Sequence, residues 1–319
     1  MIQYMLIFVC EHVLRKREMN LAVIGTTFVD IKGYPLDNFI PTGRNAGRIQ
    51  QFHGGVGRNI AEDIANMGRD VMMVGLVDEG GIGADVIKHL SHRGVNVDYM
   101  RQTVDGMGTW LAIFDNAGEV YGSISKRPIL HPICDILAEY GDEICSKTDA
   151  ILLEIDMDEE IVKMTFDLAQ KHNIKVYSVI SNITIALERI EYIKQSDCFV
   201  CNRQEAATFF ELDDEAFASS DKALATIKDR LEKSGLKSMV VTLDSDGAVY
   251  GDVGGEYGHC PANNVKVVDT TGAGDSFFAG VSIGLADGKN LGEACKIGND
   301  MASNVIGTVG NVYLKQKQK

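Results

Sequence analysis

The residue pattern predicts an α/β fold: a mostly parallel central sheet with helices on both faces, and a small β excursion to one side. Two observations carry that expectation. Short apolar runs bounded by turn residues alternate with longer stretches whose apolar residues recur at helical spacing. The connections between them are short, which is how strands and helices wind into a parallel sheet covered on both faces. A chain of 319 residues is long enough for one large domain of this kind.

Taken in order, LAVIG (21–25) is a short apolar run closed by glycine and reads as a buried strand. Residues 31–50 hold Gly33, Pro35, Pro41, Gly43 and Gly47, and break the rhythm as an excursion from the main sheet. After GGVGRN, Ile60, Ala61, Ile64 and Ala65 form one helical stripe that Gly68 ends. VMMVGLV (71–77) reads as a strand and 83–93 as a helix. TWLAIF and EVYGSI, around a turn at Asp115-Asn116-Ala117-Gly118, read as a hairpin expected to pair with the first excursion. From Asp149 the alternation is regular: strand 150–155, helix 158–172, strand 174–180, helix 182–195, strand 198–200, helix 203–211, helix 219–234 and strand 238–243. The expected organisation is an N-terminal extension over 1–18 and one domain over 19–319, with lid excursions at about 31–50 and 98–124. Ligands of such sheets bind at the carboxyl ends of the strands.

Composition excludes several classes. With 45 acidic and 31 basic residues the net charge is −14, which argues against nucleic acid as a main partner. A polyanionic ligand would need backbone donors, a few basic residues and a divalent cation. No apolar run approaches the ~20 residues of a membrane span. Seven cysteines are scattered; Cys198 and Cys201 form a CxxC inside a strand, where alternation points the thiols to opposite faces. Buried free thiols, and so a reducing cytoplasm, are expected. None of the seven histidines forms a ligand cluster in the sequence, and His89 and His92 read as a solvated pair. GLADGKN (284–290) has the wrong spacing for a phosphate-binding P-loop, and GGVGRNI (54–60) lacks the third glycine of a dinucleotide fingerprint.

The stretch VVDTTGAGDSFFAG (267–280) carries the chemistry. It reads as a strand end, a turn with two glycines, one aspartate and a helix start. Exposed N–H groups and the positive end of a helix dipole beside one carboxylate suit a transferring phosphate and the hydroxyl that attacks it. Taken alone, Asp275 is equally a cap of that helix.

DTTGAGDSFFAG closely resembles the C-terminal signature of the ribokinase-like (PfkB) carbohydrate and nucleoside kinases, and the resemblance extends over about 20–310. It implies the ribokinase-like fold and ATP-dependent phosphorylation of a sugar or nucleoside hydroxyl. By it, Asp275 is the catalytic base, and the backbone N–H groups of Gly272, Ala273, Gly274 and Asp275 are the anion hole. GGVGRN is similar to the family's glycine signature, which makes Gly54, Gly55 and Asn59 acceptor contacts, with Asp30 holding sugar hydroxyls. Phe28 stands where many members carry Asn; it either offers a face to a base or packs in the core. Asn202 and Glu205 match the N-x-x-E element that organises Mg²⁺ largely through water, although a capping box reads the same way. VTLDSDG places Thr242 and Gly247 near the nucleotide, with Asp244 in place of the usual Gly, and Asn299 matches a position near the adenine. Asp269 and Thr271 match positions that often hold K⁺. Members often pair lids, so a homodimer is expected. GGVGRNIAE, with Val56 and Arg58, looks more like the pseudouridine kinase branch than ribokinase proper.

Overall fold

The computed structural model describes residues 20–115, 120–308 and 310–314. The expected extension over 1–18 and residues 116–118 of the hairpin turn lie outside the described residues.

Nine strands form the main sheet in the order β13-β12-β11-β10-β9-β8-β1-β4-β5. In chain order these are β1 (Leu21–Ile24), β4 (Val71–Asp78), β5 (Met100–Thr103), β8 (Ala150–Glu154), β9 (Lys175–Val179), β10 (Cys198–Asn202), β11 (Ser238–Thr242), β12 (Ala248–Asp252) and β13 (Tyr257–Cys260). Pairing is parallel throughout except β11–β12 and β12–β13, where tight turns return the chain along the sheet edge. Every residue of β1 and β8 is buried, as strands covered on both faces require. Between them the strand order reverses, so a crevice opens at their carboxyl ends.

Alternation sends Leu21 and Val23 to one face and Ala22 and Ile24 to the other. Against the first face pack α1 (Val56–Asn66), α2 (Gly81–His92), α7 (Ala273–Ala286) and α8 (Leu291–Ile306). Against the second pack α3 (Pro132–Ser146), α4 (Glu159–His172), α5 (Arg203–Phe209) and α6 (Ser220–Ser234). Cys198 and Cys201 fall on opposite faces, as the odd spacing demands. Helices α7 and α8 touch backbone to backbone: a Cβ on Gly280 would lie 2.7 Å from the Gly298 Cα.

A second sheet of four strands, β3-β2-β6-β7, stands off the main one: β2 (Phe28–Pro35), β3 (Gly47–Gly54), β6 (Gly108–Phe114) and β7 (Val120–Lys126). The two excursions pair through parallel β2–β6. The looser stretch at 31–50 is thus the end of β2, a connection over 36–46 and the start of β3, with Pro41 and Gly43 in the connection, Pro35 and Gly47 at the strand ends and Gly33 inside β2. The second excursion is shorter than expected, because Met100–Thr103 pairs with β4 in the main sheet.

Two other expectations are corrected. Residues 182–195 are not one helix; they split into turns at Ile183–Ala186 and Ile190–Ile193, joined by a 3₁₀ segment and broken where Arg189 leaves helical geometry. Val267 and Val268 do not end a strand. They are exposed, and Val268 N–H donates to the Ile306 carbonyl at the end of α8 instead of to a sheet neighbour. Their strand propensity yields to the bond made with the end of α8.

Candidate active site

The glycine turn before α7 is built by backbone geometry. Gly272 is its N-cap at φ 80, and a Cβ there would lie 2.0 Å from the Asn311 carbonyl oxygen, so only glycine fits. Ala273 N–H donates to the Thr270 carbonyl at 3.2 Å and is spent on the turn. The N–H groups of Gly272, Gly274 and Asp275 have no acceptor among the described residues. A Cβ on Gly274 would meet nothing within 4 Å, so the space in front of these donors is open. Three unpaired donors at a helix N-terminus form an anion cradle.

Asp275 occupies the first turn of α7 without capping it, because no side chain caps that helix. Its Oδ2 accepts a hydrogen bond from Asn59 Nδ2 at 2.6 Å. Burial pushes the carboxyl up to about 6, against the opposing pull of Asn59 and the Arg58 charge. The next residue fixes the helix: Ser276 Oγ donates to Asp63 Oδ2 at 2.5 Å, and Tyr313 N–H donates to the other oxygen. Burial holds Asp63 well above the usual carboxylate range.

The second glycine turn meets the first across the crevice. Gly55 is the N-cap of α1 at φ 97, where a Cβ would lie 2.6 Å from the Thr26 carbonyl. A Cβ on Gly54 would lie 2.7 Å from the Asp30 carboxylate, so Asp30 lies against that glycine. Burial raises the pKa of Asp30, opposed by Lys32 and Arg58. The Phe28 ring lies across Gly108 on the same lid face as Asp30, the two being related by strand alternation. Arg58, almost fully buried, donates to Glu62 at 2.6 Å and to the His53 and Gly54 carbonyls, which fixes the backbone entering the turn. The sequence marked Arg58 only as a departure from ribokinase-type members.

At the carboxyl ends of β8 and β10, three carboxylates converge. Glu154 accepts from Thr26 N–H at 2.8 Å and Ser181 Oγ at 3.0 Å, and Asp156 accepts from Ser181 Oγ at 2.7 Å. Burial, then the Asp156 charge, push Glu154 up. Asn202 and Glu205 do form a capping box: Glu205 N–H donates to Asn202 Oδ1 at 2.9 Å, and Asn202 N–H to Glu205 Oε2 at 2.7 Å. The box leaves Glu205 buried enough to raise its pKa, with the Asp156 charge adding to the effect. Mutually repelling buried carboxylates are the oxygen donor set that suits Mg²⁺. Glu154 and Asp156 were missed from the sequence; the signal was an E-x-D directly after an apolar strand.

Thr242, Gly247 and Asn299 gather at the far end of the sheet. Gly247, at φ 87, would place a Cβ 2.1 Å from the Cys260 carbonyl, and buried Asn299 donates to the Pro261 carbonyl at 2.8 Å. Thr242 Oγ1 lies 3.5 Å from the Cys201 carbonyl. Asp244 sits at φ 52, a conformation Asp tolerates, and accepts from Arg203 Nε at 2.9 Å, which accounts for its replacing glycine. Asp269 accepts from Thr271 N–H at 2.9 Å, and its other oxygen lies 4.0 Å from Lys32 Nζ.

The histidine reading needs two corrections. His89 is no solvated partner of His92; its Nε2 lies 2.9 Å from an oxygen of buried Glu62. The fold also brings His131, Cys134 and Glu160 together, with ligand-type atoms within 4.8 Å of one another, which spacing along the chain did not reveal. Six cysteines, Cys134, Cys145, Cys198, Cys201, Cys260 and Cys295, are free and buried. No helix among the described residues is long and apolar enough to cross a membrane.

The chain matches the family described as pfkB family carbohydrate kinase over residues 19–317. It is 34% identical over 301 residues to a guanosine-inosine kinase from Exiguobacterium acetylicum, covering 92% of this chain and 96% of that protein. To a pseudouridine kinase from Escherichia coli (strain K12) it is 27% identical over 289 residues, 90% of each chain. Among solved structures, Arabidopsis thaliana ribokinase complexed with ribose and ATP matches with a TM-score of 0.79 at 21% identity, covering 92% of this chain and 94% of that one. An adenosine kinase from Sinorhizobium meliloti matches with a TM-score of 0.76 at 22% identity, over 93% and 97%. The shared architecture is the ribokinase-like fold. With a family match that spans nearly the whole described chain, the protein belongs to the pfkB family of carbohydrate kinases and is an ATP-dependent sugar or nucleoside kinase.

Proposed function

We propose that the acceptor is a nucleoside and that its 5′-hydroxyl is phosphorylated with Asp275 as general base. The observation that carries the chemistry is the pairing of Asp275, held by Asn59, with the unpaired N–H groups of Gly272, Gly274 and Asp275. In this reading ATP with Mg²⁺ supplies the γ-phosphoryl group. Asp275 would take the hydroxyl proton as the oxygen attacks the γ-phosphorus, the bond from that phosphorus to the β-phosphate oxygen breaks and ADP leaves, and the three N–H groups would hold the charge on the transferring phosphoryl oxygens. Asp30, Gly54, Gly55 and Asn59 orient the sugar. Asn202 and Glu205, with Asp156 and Glu154 behind them, would hold Mg²⁺ largely through water. Thr242, Gly247 and Asn299 would receive the nucleotide. The same reading extends to K⁺ beside Asp269 and Thr271.

The inner lid face supports a nucleoside. Strand register places Phe28, Phe52, Trp110 and Phe114 on the face of Asp30, and aromatic rings suit a planar base. Both relatives named above are nucleoside kinases by name. The pseudouridine reading of GGVGRNIAE stays within this class, but the greater identity is to the guanosine-inosine kinase.

The outer lid face supports the expected homodimer. Ile49 and Ile124 are 77% and 70% exposed there, on the same side as Leu111. A second copy covering this apolar face would remove it from water. Free buried thiols fit a cytoplasmic setting.

The test compares kcat/KM for pseudouridine, uridine, guanosine, inosine, ribose and fructose 6-phosphate under one ATP and Mg²⁺ condition. A nucleoside is expected to lead. Ribose or a sugar phosphate ahead of every nucleoside by tenfold would overturn the acceptor and leave the kinase standing.

A further inference from the structure

The inner face of the lid carries a buried ammonium, that of Lys32, with no hydrogen-bond acceptor among the described residues. Lys32 lies in β2 two residues beyond Asp30, so alternation puts both on the face turned toward the glycine turns. The residue is 8% exposed. Its Nζ stands 5.3 Å from the centre of the Phe52 ring and 6.0 Å from that of Phe114. The nearest carboxylate oxygen, on Asp269, is 4.0 Å away, beyond hydrogen-bond reach. Lys32 Nζ makes no hydrogen bond among the described residues. An ammonium has three donors and no acceptor, and a buried one without acceptors is costly unless a ligand supplies them.

The order of groups along the crevice says which part of a ligand reaches it. Asp30 lies against Gly54, in the glycine turn whose helix carries Asn59 to Asp275, and Lys32 lies one strand repeat farther along β2. Along the lid strand Asp30 therefore comes between the base and the ammonium. A nucleoside with its 5′-hydroxyl at Asp275 and its ribose at Asp30 extends its nucleobase toward Lys32, between rings that suit a planar group.

We propose that Lys32 determines acceptor specificity by donating to a ring carbonyl of the nucleobase, so that the enzyme takes oxo-bases and discriminates against adenosine. This rests on the nucleoside reading above. Guanosine and inosine present acceptors at O6 and N7, and pseudouridine also carries ring carbonyls. Adenosine presents an amino donor where the 6-oxopurines have O6, and faces a group that has only donors. The aromatic neighbours contribute stacking without choosing between these edges, which leaves the choice to Lys32.

The experiment measures kcat/KM for inosine, guanosine, pseudouridine, adenosine and ribose in the wild type, Lys32→Met and Lys32→Gln, with the thermal midpoint of each recorded. Met keeps an unbranched stem against Phe52 and Phe114 and removes the donors; Gln offers a donor and an acceptor. The wild type is expected to favour inosine over adenosine by about tenfold or more. In both variants that ratio is expected to fall by about tenfold, mainly through KM for inosine. If Lys32→Met proves unfolded by its thermal midpoint, the ratio in Lys32→Gln decides. An inosine-to-adenosine ratio unchanged in a folded variant overturns the Lys32 assignment while leaving the nucleoside reading intact. A wild type that phosphorylates ribose and no nucleoside overturns both.

Discussion

Asp275 is pulled in two directions: burial raises its proton affinity, while the Asn59 amide and the Arg58 charge lower it, with a net position of about 6. A general base works only when deprotonated, so kcat/KM is expected to fall about tenfold per pH unit below 6 and to level off above it. Asn59→Ala removes a donor to the charged form, so the inflection should move upward; an inflection that stays in place or moves down would remove Asn59 from the tuning of Asp275. The same shift has a stability counterpart. Between the ordinary carboxylate range and about 6, the folded protein binds more protons at this site than the unfolded chain does. Asp275 therefore contributes to the stability of the ligand-free protein as pH falls through that window, and costs stability as pH rises. Asp275 was legible because an anion cradle admits few residue types around one carboxylate. Glu154, Arg58 and Lys32 were not. Glu154 gains its place by bonding Thr26, 128 residues away in sequence, and Lys32 gains its place when the lid meets Asp269.

At the scale of elements, the two glycines of the turn before α7 have separable roles. Gly272 has positive φ and a carbonyl in the path of any Cβ, whereas Gly274 faces open space. Gly272→Ala should therefore lower the thermal midpoint by several degrees, the scale of a strained position costing about 1–3 kcal/mol in a chain of this size. Gly274→Ala should leave the midpoint within about a degree and lower kcat, because its methyl group enters the space before the N–H donors. Equal loss of stability in both variants would contradict the separation. The alternation from Asp149 was readable since fully buried parallel strands have few sequence solutions. The break in 182–195 was not, because the apolar spacing continues through Leu187–Arg189 while the backbone changes geometry. Val267 and Val268 read as strand because local propensity carries no information on whether a partner edge is near. Met100–Thr103 was assigned to the lid for the converse reason: its pairing with β4 is a tertiary fact.

At the scale of the whole molecule, the main sheet carries at its strand ends the residues proposed above to meet phosphate, metal and nucleotide, and the smaller sheet carries Asp30, Lys32 and the aromatic rings on one face. Its outer face, with Ile49 and Ile124, is where a second copy should sit. Ile124→Asp should shift a dimer to monomer in analytical ultracentrifugation without changing the thermal midpoint of the monomer; an unaltered sedimentation coefficient would place the contact elsewhere. With a net charge of −14, a triphosphate would depend on local compensation, for which the unpaired backbone donors before α7 are placed. The proposed chemistry depends on one carboxylate, Asp275, at the head of α7. The most direct test is the steady-state rate of Asp275→Asn alongside its ATP affinity. The variant is expected to bind ATP as the wild type does and to lose about 10²-fold or more in kcat, the scale of a missing general base. A variant that turns over within threefold of the wild type would contradict the role assigned to Asp275.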